Sequence, residues 1–358
     1  MNNKPNNYFD ERDLNTYKKF EKIVENELPY FCIEFFNAID TQTTYLTKLN
    51  YAMDLAIFFD FLISKHKNFK DLSPIDIEIE HLNTIRATDI EYFLRYLSFY
   101  TYKGVSRKNK DSSKARKLST VKALFSYFYS RDKLKENVTT KVKSPKIRTK
   151  PIIRLENSEV KQLLKNIENE NAFETEFQNA YNKKINFRDY TIINLILNTG
   201  IRISECVGLD IDDFDLANNS FSITRKGGNI AQLYYSDEIK ELLELYLEYR
   251  LNKVPKEINI NDKHANALFI SLKGCRLGVR SIQNIVKKYA KTAAPLKNIS
   301  PHKLRATFGT ALYNATGDIY VVAEVLGHKD INTTKEYYAA TSEKIKKTAV
   351  SSFSYKKE

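Results

Sequence analysis

The stretch Leu326-Gly327-His328-Lys329-Asp330-Ile331-Asn332-Thr333-Thr334-Lys335-Glu336-Tyr337-Tyr338 decides how the chain is read. A helix-stopping glycine, a histidine directly after it and a tyrosine nine residues beyond that histidine can deliver an imidazole and a phenol to one phosphate. Each half alone has a duller explanation, since Leu-Gly-His is usually a helix stop and paired tyrosines can be core. Upstream, the same chemistry continues with His302-Lys303-Leu304-Arg305, Lys226 ahead of Gly227-Gly228, and Thr199-Gly200-Ile201-Arg202-Ile203-Ser204-Glu205. The four signals converge on one anion.

Cutting and rejoining a phosphodiester without a metal or a nucleotide requires roughly 20 kcal/mol of barrier reduction, whereas one well-placed donor supplies about 3 to 4. A constellation is therefore needed. Arg202 and Arg305 are the guanidiniums expected to hold the nonbridging oxygens in charge-assisted geometry. His302 and Arg305 stand at i and i+3 on a helix whose start Pro301 helps to define, so both project from one face. A phenol of reference pKa about 10 needs a base or nearby cations to act as a nucleophile. His302 is the expected proton acceptor, His328 a donor to the phosphate, and Lys226, on an exposed hairpin tip, the acid for the leaving 5′-hydroxyl. Tyr337 and Tyr338 compete for the nucleophile's place, because helix neighbours point about 100° apart.

At 358 residues the chain has room for two domains, and 42% hydrophobic with 28% charged residues suits a globular, water-facing protein. No apolar run approaches the roughly 18 to 20 residues that span a bilayer, and Met1 to Asp10 is polar, so cytoplasmic residence is the expectation. Cys32, Cys206 and Cys275 are scattered and read as reduced thiols, and the five histidines form no HxH or HExxH pair. Neither a metal nor a cofactor is expected. The net charge of +13 is concentrated: residues 101 to 150 hold 16 Lys and Arg against 3 Asp and Glu, whereas residues 1 to 100 hold 11 against 16. So dense a basic segment between two domains points to DNA.

The N-terminal part, residues 1–137, reads as all helical. Leu46, Leu49, Met53, Ile57, Phe58 and Phe61 mark one long amphipathic helix from Thr41 to Ser64. Thr88 and Glu91 fit a capping box, and a polar loop from Lys103 to Lys117 precedes a helix from Ser119 to Ser130. Arg107, Lys108, Lys114 and Arg116 are candidate phosphate contacts there. Residues 138–152 lack periodicity and read as an extended basic linker, with Lys141, Lys143, Lys146, Arg148 and Lys150 laid along a duplex. Residues 153–341 read as helices with one small antiparallel sheet, built on the hairpin of Phe221 to Thr224 and Ile230 to Tyr235 and a short strand at Leu268 to Ile270. The fold class is mainly α, of the α+β kind. The tail, 342–358, has apolar Ile345, Val350 and Phe353 that suit docking on a neighbouring subunit.

In the motifs Thr199 to Glu205, Lys226, His302 to Arg305, and Leu326 to His328 with Tyr337, the chain resembles the tyrosine recombinases. The resemblance implies a helical core-binding domain, a catalytic domain, and a clamp around double-stranded DNA with inverted-repeat half-sites. It also implies a 3′-phosphotyrosyl intermediate at Tyr337, metal- and ATP-independent strand exchange through a Holliday junction, and a homotetramer on two DNA sites. The runs Ile223 to Gly228 and Pro301 to Arg305 are similar to those of single-protein Xer recombinases, which resolve chromosome dimers; a DNA translocase as activator stays open. Ala306 stands where a second histidine is common, and Gln232 and Leu233 replace the usual run after the hairpin. A mobile-element integrase shares all the chemistry, and a non-catalytic DNA-binding relative would have lost part of it.

Overall fold

A computed structural model describes residues 8–147, 153–168, 176–225, 228–328, 330, 331 and 334, with the backbone alone over 176–184. Two units emerge, Met1–Lys150 and Pro151–Glu358. The architecture is mainly helical with small antiparallel sheets, the fold class expected from the sequence.

In the first unit, α1 (Tyr8–Glu27), α2 (Cys32–Ala38), α3 (Tyr45–Lys65), α4 (Ala87–Tyr96) and α5 (Asp111–Tyr129) share one core. Because α3 packs against both α1 and α5, its apolar residues extend beyond one stripe. Ile57, Phe58 and Phe61 are buried as the spacing predicts, but so are Ala52, Leu55, Phe59 and Leu62, while Leu46 is 60% exposed. A helix with partners on two sides needs apolar residues around most of its circumference. Phe58 meets Phe93 at 5.1 Å and Phe31 meets Phe128 at 5.4 Å, edge to face as the ring quadrupole favours. Buried Asp54 accepts from Arg116 Nη2 at 2.8 Å, Lys117 Nζ at 3.0 Å and Thr120 Oγ1 at 3.2 Å. A carboxylate survives burial only where partners replace water, and here those partners lock α3 to α5.

Two expectations change in this unit. It is not all helical: β1 (Tyr100–Tyr102) and β2 (Val105–Arg107) form an antiparallel hairpin, and α5 starts at Asp111 rather than Ser119. The turn sets Lys103 at φ 52° and Gly104 at φ 74°, a conformation that Asn-Gly announces in a sequence and Lys-Gly does not. Tyr102 donates to Glu27 Oε2 at 2.6 Å and Lys103 to Oε1 at 2.5 Å, pinning the hairpin to α1. The segment expected to be a linker from residue 138 begins with a 3₁₀ turn, Val138–Lys141, packed on α4 and α5, with Thr139 and Val142 buried. Lys122 Nζ donates to the Val142 carbonyl at 2.8 Å.

The second unit contains α6 (Asn157–Glu168), α7 (Glu176–Thr199), α8 (Ile203–Gly208), α9 (Asp237–Asn252), α10 (Val254–Glu257), α11 (Val279–Ala293), α12 (Pro301–Thr316) and α13 (Ile319–Leu326). Helix α7 packs against α6, α9 and α12 and buries Ile192, Ile193, Leu195 and Ile196. The sheet runs β3 (Phe214–Asp215), β4 (Ser220–Thr224), β5 (Ile230–Tyr234), all antiparallel, with Phe221 opposite Leu233 and Thr224 opposite Ile230. The strand expected at Leu268 to Ile270 is instead a pair of isolated bridges, Asp210 with Ala267 and Ile270 with Arg276. Gly317, at φ 69°, ends α12, and Asp318 caps α13 by accepting from Tyr320 N at 2.7 Å. This tight reversal lays Val322 and Leu326 against Phe308 and Leu312 of α12.

Candidate active site

Gly200 is where α7, α12 and α13 meet. At φ 63° it takes a conformation that a side chain resists, and a Cβ there would lie 2.5 Å from Phe308 and 2.7 Å from Leu326. Two residues on, Arg202 precedes α8. Its backbone N–H donates to Glu205 Oε2 at 2.9 Å and its Nη1 to Oε1 at 2.9 Å, so one buried carboxylate caps the helix and orients the guanidinium. Nη2 of Arg202 donates to the Gly327 carbonyl at 2.9 Å. Arg305, buried in the second turn of α12, donates from Nη1 to the Gly200 carbonyl and from Nη2 to the Leu326 carbonyl. The two arginines thus grip consecutive carbonyls at the negative end of α13.

That helix end is closed by backbone bonds. Gly327, at φ 60°, donates to the Glu324 carbonyl at 2.9 Å, and His328 N donates to the Ala323 carbonyl at 2.9 Å, the paired pattern of a Schellman stop. The ring of His328 lies with Nδ1 at 2.7 Å from Thr334 Oγ1, which leaves Nε2 for a ligand. A cleft of about 700 Å³ opens here, lined among others by Arg202, Arg225, Asn229, Gly327, His328 and Asp330.

Burial and the charges of Arg305, Arg202, His302 and Arg225 push His328 down to about 4. Burial and the same Arg305 and Arg202 lower His302 as well. Both rings are therefore neutral at pH 7, so His302 can accept a proton and His328 can donate one N–H. In the unfolded chain they bind protons near the ordinary histidine value of about 6.5. Stability is thus unaffected above that pH and is lost as the pH falls from about 6.5 toward 4. An NMR titration of the free protein should place the His328 midpoint near 4, and His328→Asn should flatten the fall in urea stability over this window. A midpoint at the ordinary value would refute the cationic surroundings.

Of the residues expected to carry the chemistry, Arg202, His302, Arg305 and His328 are brought together, whereas Lys226, Tyr337 and the competing Tyr338 lie outside the described residues. Glu205, Arg225 and Thr334 join the site without having been singled out. Glu205 follows Arg202 by three residues, a capping spacing; Arg225 adjoins Lys226; Thr334 carries no signal of its own. Among the residues expected to meet DNA, Arg107 lies 5.5 Å over the Tyr102 ring and Lys108 4.8 Å over Phe99, both exposed. Lys143 and Lys146 are exposed too. Lys114 donates to Ser98 Oγ at 2.7 Å. Arg116 pairs with Asp54 and Lys141 with Glu136, both within the first unit. Arg148 lies outside the described residues. No helix among the described residues is long and apolar enough to cross a membrane.

The sequence pattern of the phage integrase family matches residues 153–344, and the chain belongs to that family, the tyrosine recombinases. Its likeness to individual members extends well beyond that segment. It is 32% identical to the tyrosine recombinase XerC of Caldanaerobacter subterraneus subsp. tengcongensis over 325 residues, covering 89% of this chain and 83% of the relative. It is 29% identical to the tyrosine recombinase XerS of Streptococcus uberis over 348 residues, covering 88% of this chain and 94% of the relative. Among solved structures, the XerH site-specific recombinase bound to palindromic difH substrate matches with a TM-score of 0.61 at 22% identity, over 86% of this chain and 80% of that one. The Tn1549 transposon integrase in complex with a circular intermediate DNA matches with a TM-score of 0.62 at 20% identity, over 90% and 99%. These structures share the fold.

Proposed function

We propose that the chain is an Xer-like site-specific recombinase that cuts and rejoins double-stranded DNA, with Tyr337 as its nucleophile. The observation that carries this reading is the grip of Arg202 and Arg305 on adjacent carbonyls beside His328, which fixes two cations at one helix end. In this reading the guanidiniums hold the nonbridging oxygens of the scissile phosphate and His328 donates to the same group. His302 takes the phenolic proton as the Tyr337 oxygen bonds to phosphorus. The bond to the 5′-oxygen breaks, and Lys226 protonates that oxygen. The 3′-phosphotyrosyl ester retains the energy of the broken bond, so attack by the 5′-hydroxyl of another strand restores a phosphodiester without ATP.

In this scheme Arg107, Lys108, Lys143 and Lys146 contact backbone phosphates. Four protomers join two sites of inverted half-sites, the tail 342–358 docking on a neighbour, and the work on chromosomal DNA is cytoplasmic. Resolution of chromosome dimers is the biological role; the likeness in fold to a transposon integrase favours excision of a mobile element as the second reading.

The test is a nicked duplex made from the inverted repeats flanking the gene, incubated with the protein in EDTA without ATP. A denaturant-stable protein–DNA adduct on the 3′ side is expected. A free 3′ end without bound protein, or dependence on added magnesium, would sink the proposal. In cells, unresolved chromosome dimers after deletion support the first role, and a trapped element the second.

A further inference from the structure

Arg225 stands at the end of β4, immediately before Lys226. Its backbone N–H donates to the Asn229 carbonyl at 2.8 Å and its carbonyl accepts from Gly228 N at 3.1 Å, so it closes the hairpin. Its side chain leaves the sheet for the end of α13. Nη2 donates to the Val325 carbonyl at 3.3 Å, and the guanidinium lies so close to Gly327 that a Cβ there would sit 1.8 Å from Nη1 and 2.2 Å from Cζ. Nε is buried without a hydrogen-bond partner among the described residues. The carbonyls of Val325, Leu326 and Gly327 are therefore held in succession by Arg225, Arg305 and Arg202. Arg305 and Arg202 come from the helical part of the unit; Arg225 comes from the hairpin.

We infer that Arg225 is a positioning residue for departure of the 5′-oxygen, tying the hairpin that carries Lys226 to the helix end that carries His328. The inference rests on the reading of Lys226 as the acid. A lysine side chain has many rotamers, and a proton donor contributes only from within hydrogen-bond reach of the atom it protonates. Anchoring the preceding residue to α13 removes much of that freedom and sets the donor in register with the arginines. As the Tyr337 oxygen bonds to phosphorus, the P–O5′ electron pair passes to O5′, which takes a proton from the Lys226 ammonium. Sulfur in the same bridging position leaves as a thiolate and needs no proton, because a thiol, with a pKa of about 8.5, is far more acidic than an alcohol.

The experiment compares nicked duplexes carrying oxygen or sulfur at the 5′ bridging position, cleaved by the unsubstituted protein, Arg225→Met, Arg225→Lys and Lys226→Ala. Arg225→Met is expected to cleave the oxygen substrate about 10- to 100-fold more slowly, a fraction of what general acid catalysis supplies, and the sulfur substrate within about threefold of normal. Arg225→Lys, which keeps charge and most of the reach, should fall between. Slow cleavage of both substrates by Arg225→Met overturns the inference, since it marks a role in holding the phosphate or the fold; normal cleavage of both overturns it as well. Should Arg225→Met not fold, Arg225→Lys decides by the same sulfur-to-oxygen ratio. Lys226→Ala separates the two readings. If sulfur rescues it but not Arg225→Met, the acid stands and the tie fails; if sulfur rescues Arg225→Met alone, the acid lies elsewhere and the inference falls with the reading of Lys226.

Discussion

Tyr337→Phe will leave no covalent adduct on a nicked duplex, while Tyr338→Phe will still form one. The ester requires a phenolic oxygen, and no other atom of the ring can replace it, so the loss is of the reaction itself rather than of a fraction of its rate. DNA binding should survive, because the oxygen contributes little to a contact dominated by phosphate charge. A gel-shift assay beside the denaturing adduct assay separates the two effects. The nine-residue step from His328 singles out Tyr337 by resemblance to the family. Adduct formation by Tyr337→Phe and its loss in Tyr338→Phe would reverse the assignment.

Arg305→Lys will slow adduct formation by about 10²- to 10³-fold, the effect of removing one well-placed donor to a developing charge. The reason lies in the shape of the group. A guanidinium reaches the Gly200 and Leu326 carbonyls at once, whereas an ammonium is a single point of charge. Arg305→Ala should also lower stability by about 2 to 4 kcal/mol, because it strands two carbonyls at a buried junction. It should raise the His302 and His328 titration midpoints, since the Arg305 charge is, after burial, the largest influence holding both down. A lysine variant that cleaves at the normal rate would remove Arg305 from the proposed chemistry.

How much of this was legible beforehand depends on the kind of signal. Arg202, His302, Arg305 and His328 lie on three separate stretches, and no periodicity joins them; chemistry and resemblance did, and the fold then brought them to one helix end. Helix stops were readable because Gly200 and Gly327 need positive φ, a requirement few residues besides glycine meet easily. The hairpin of Tyr100 to Arg107 was hidden by a Lys-Gly turn whose lysine takes φ 52°. The burial of Asp54 was hidden as well, because its partners on α5 are 62 to 66 positions away. Such pairings depend on how helices pack, which a one-dimensional pattern does not encode. The role of Glu205 as a clamp on Arg202 could have been read from its three-residue spacing.

The carbonyls of Val325, Leu326 and Gly327 are dipoles, not anions, so they aim three guanidiniums without cancelling their charge. Glu205 pairs with Arg202. A phosphate arriving beside His328 consequently meets Arg202 and Arg305 already oriented by folding. Reorganisation on binding is correspondingly small, and the attraction persists at short range even where salt screens the surface.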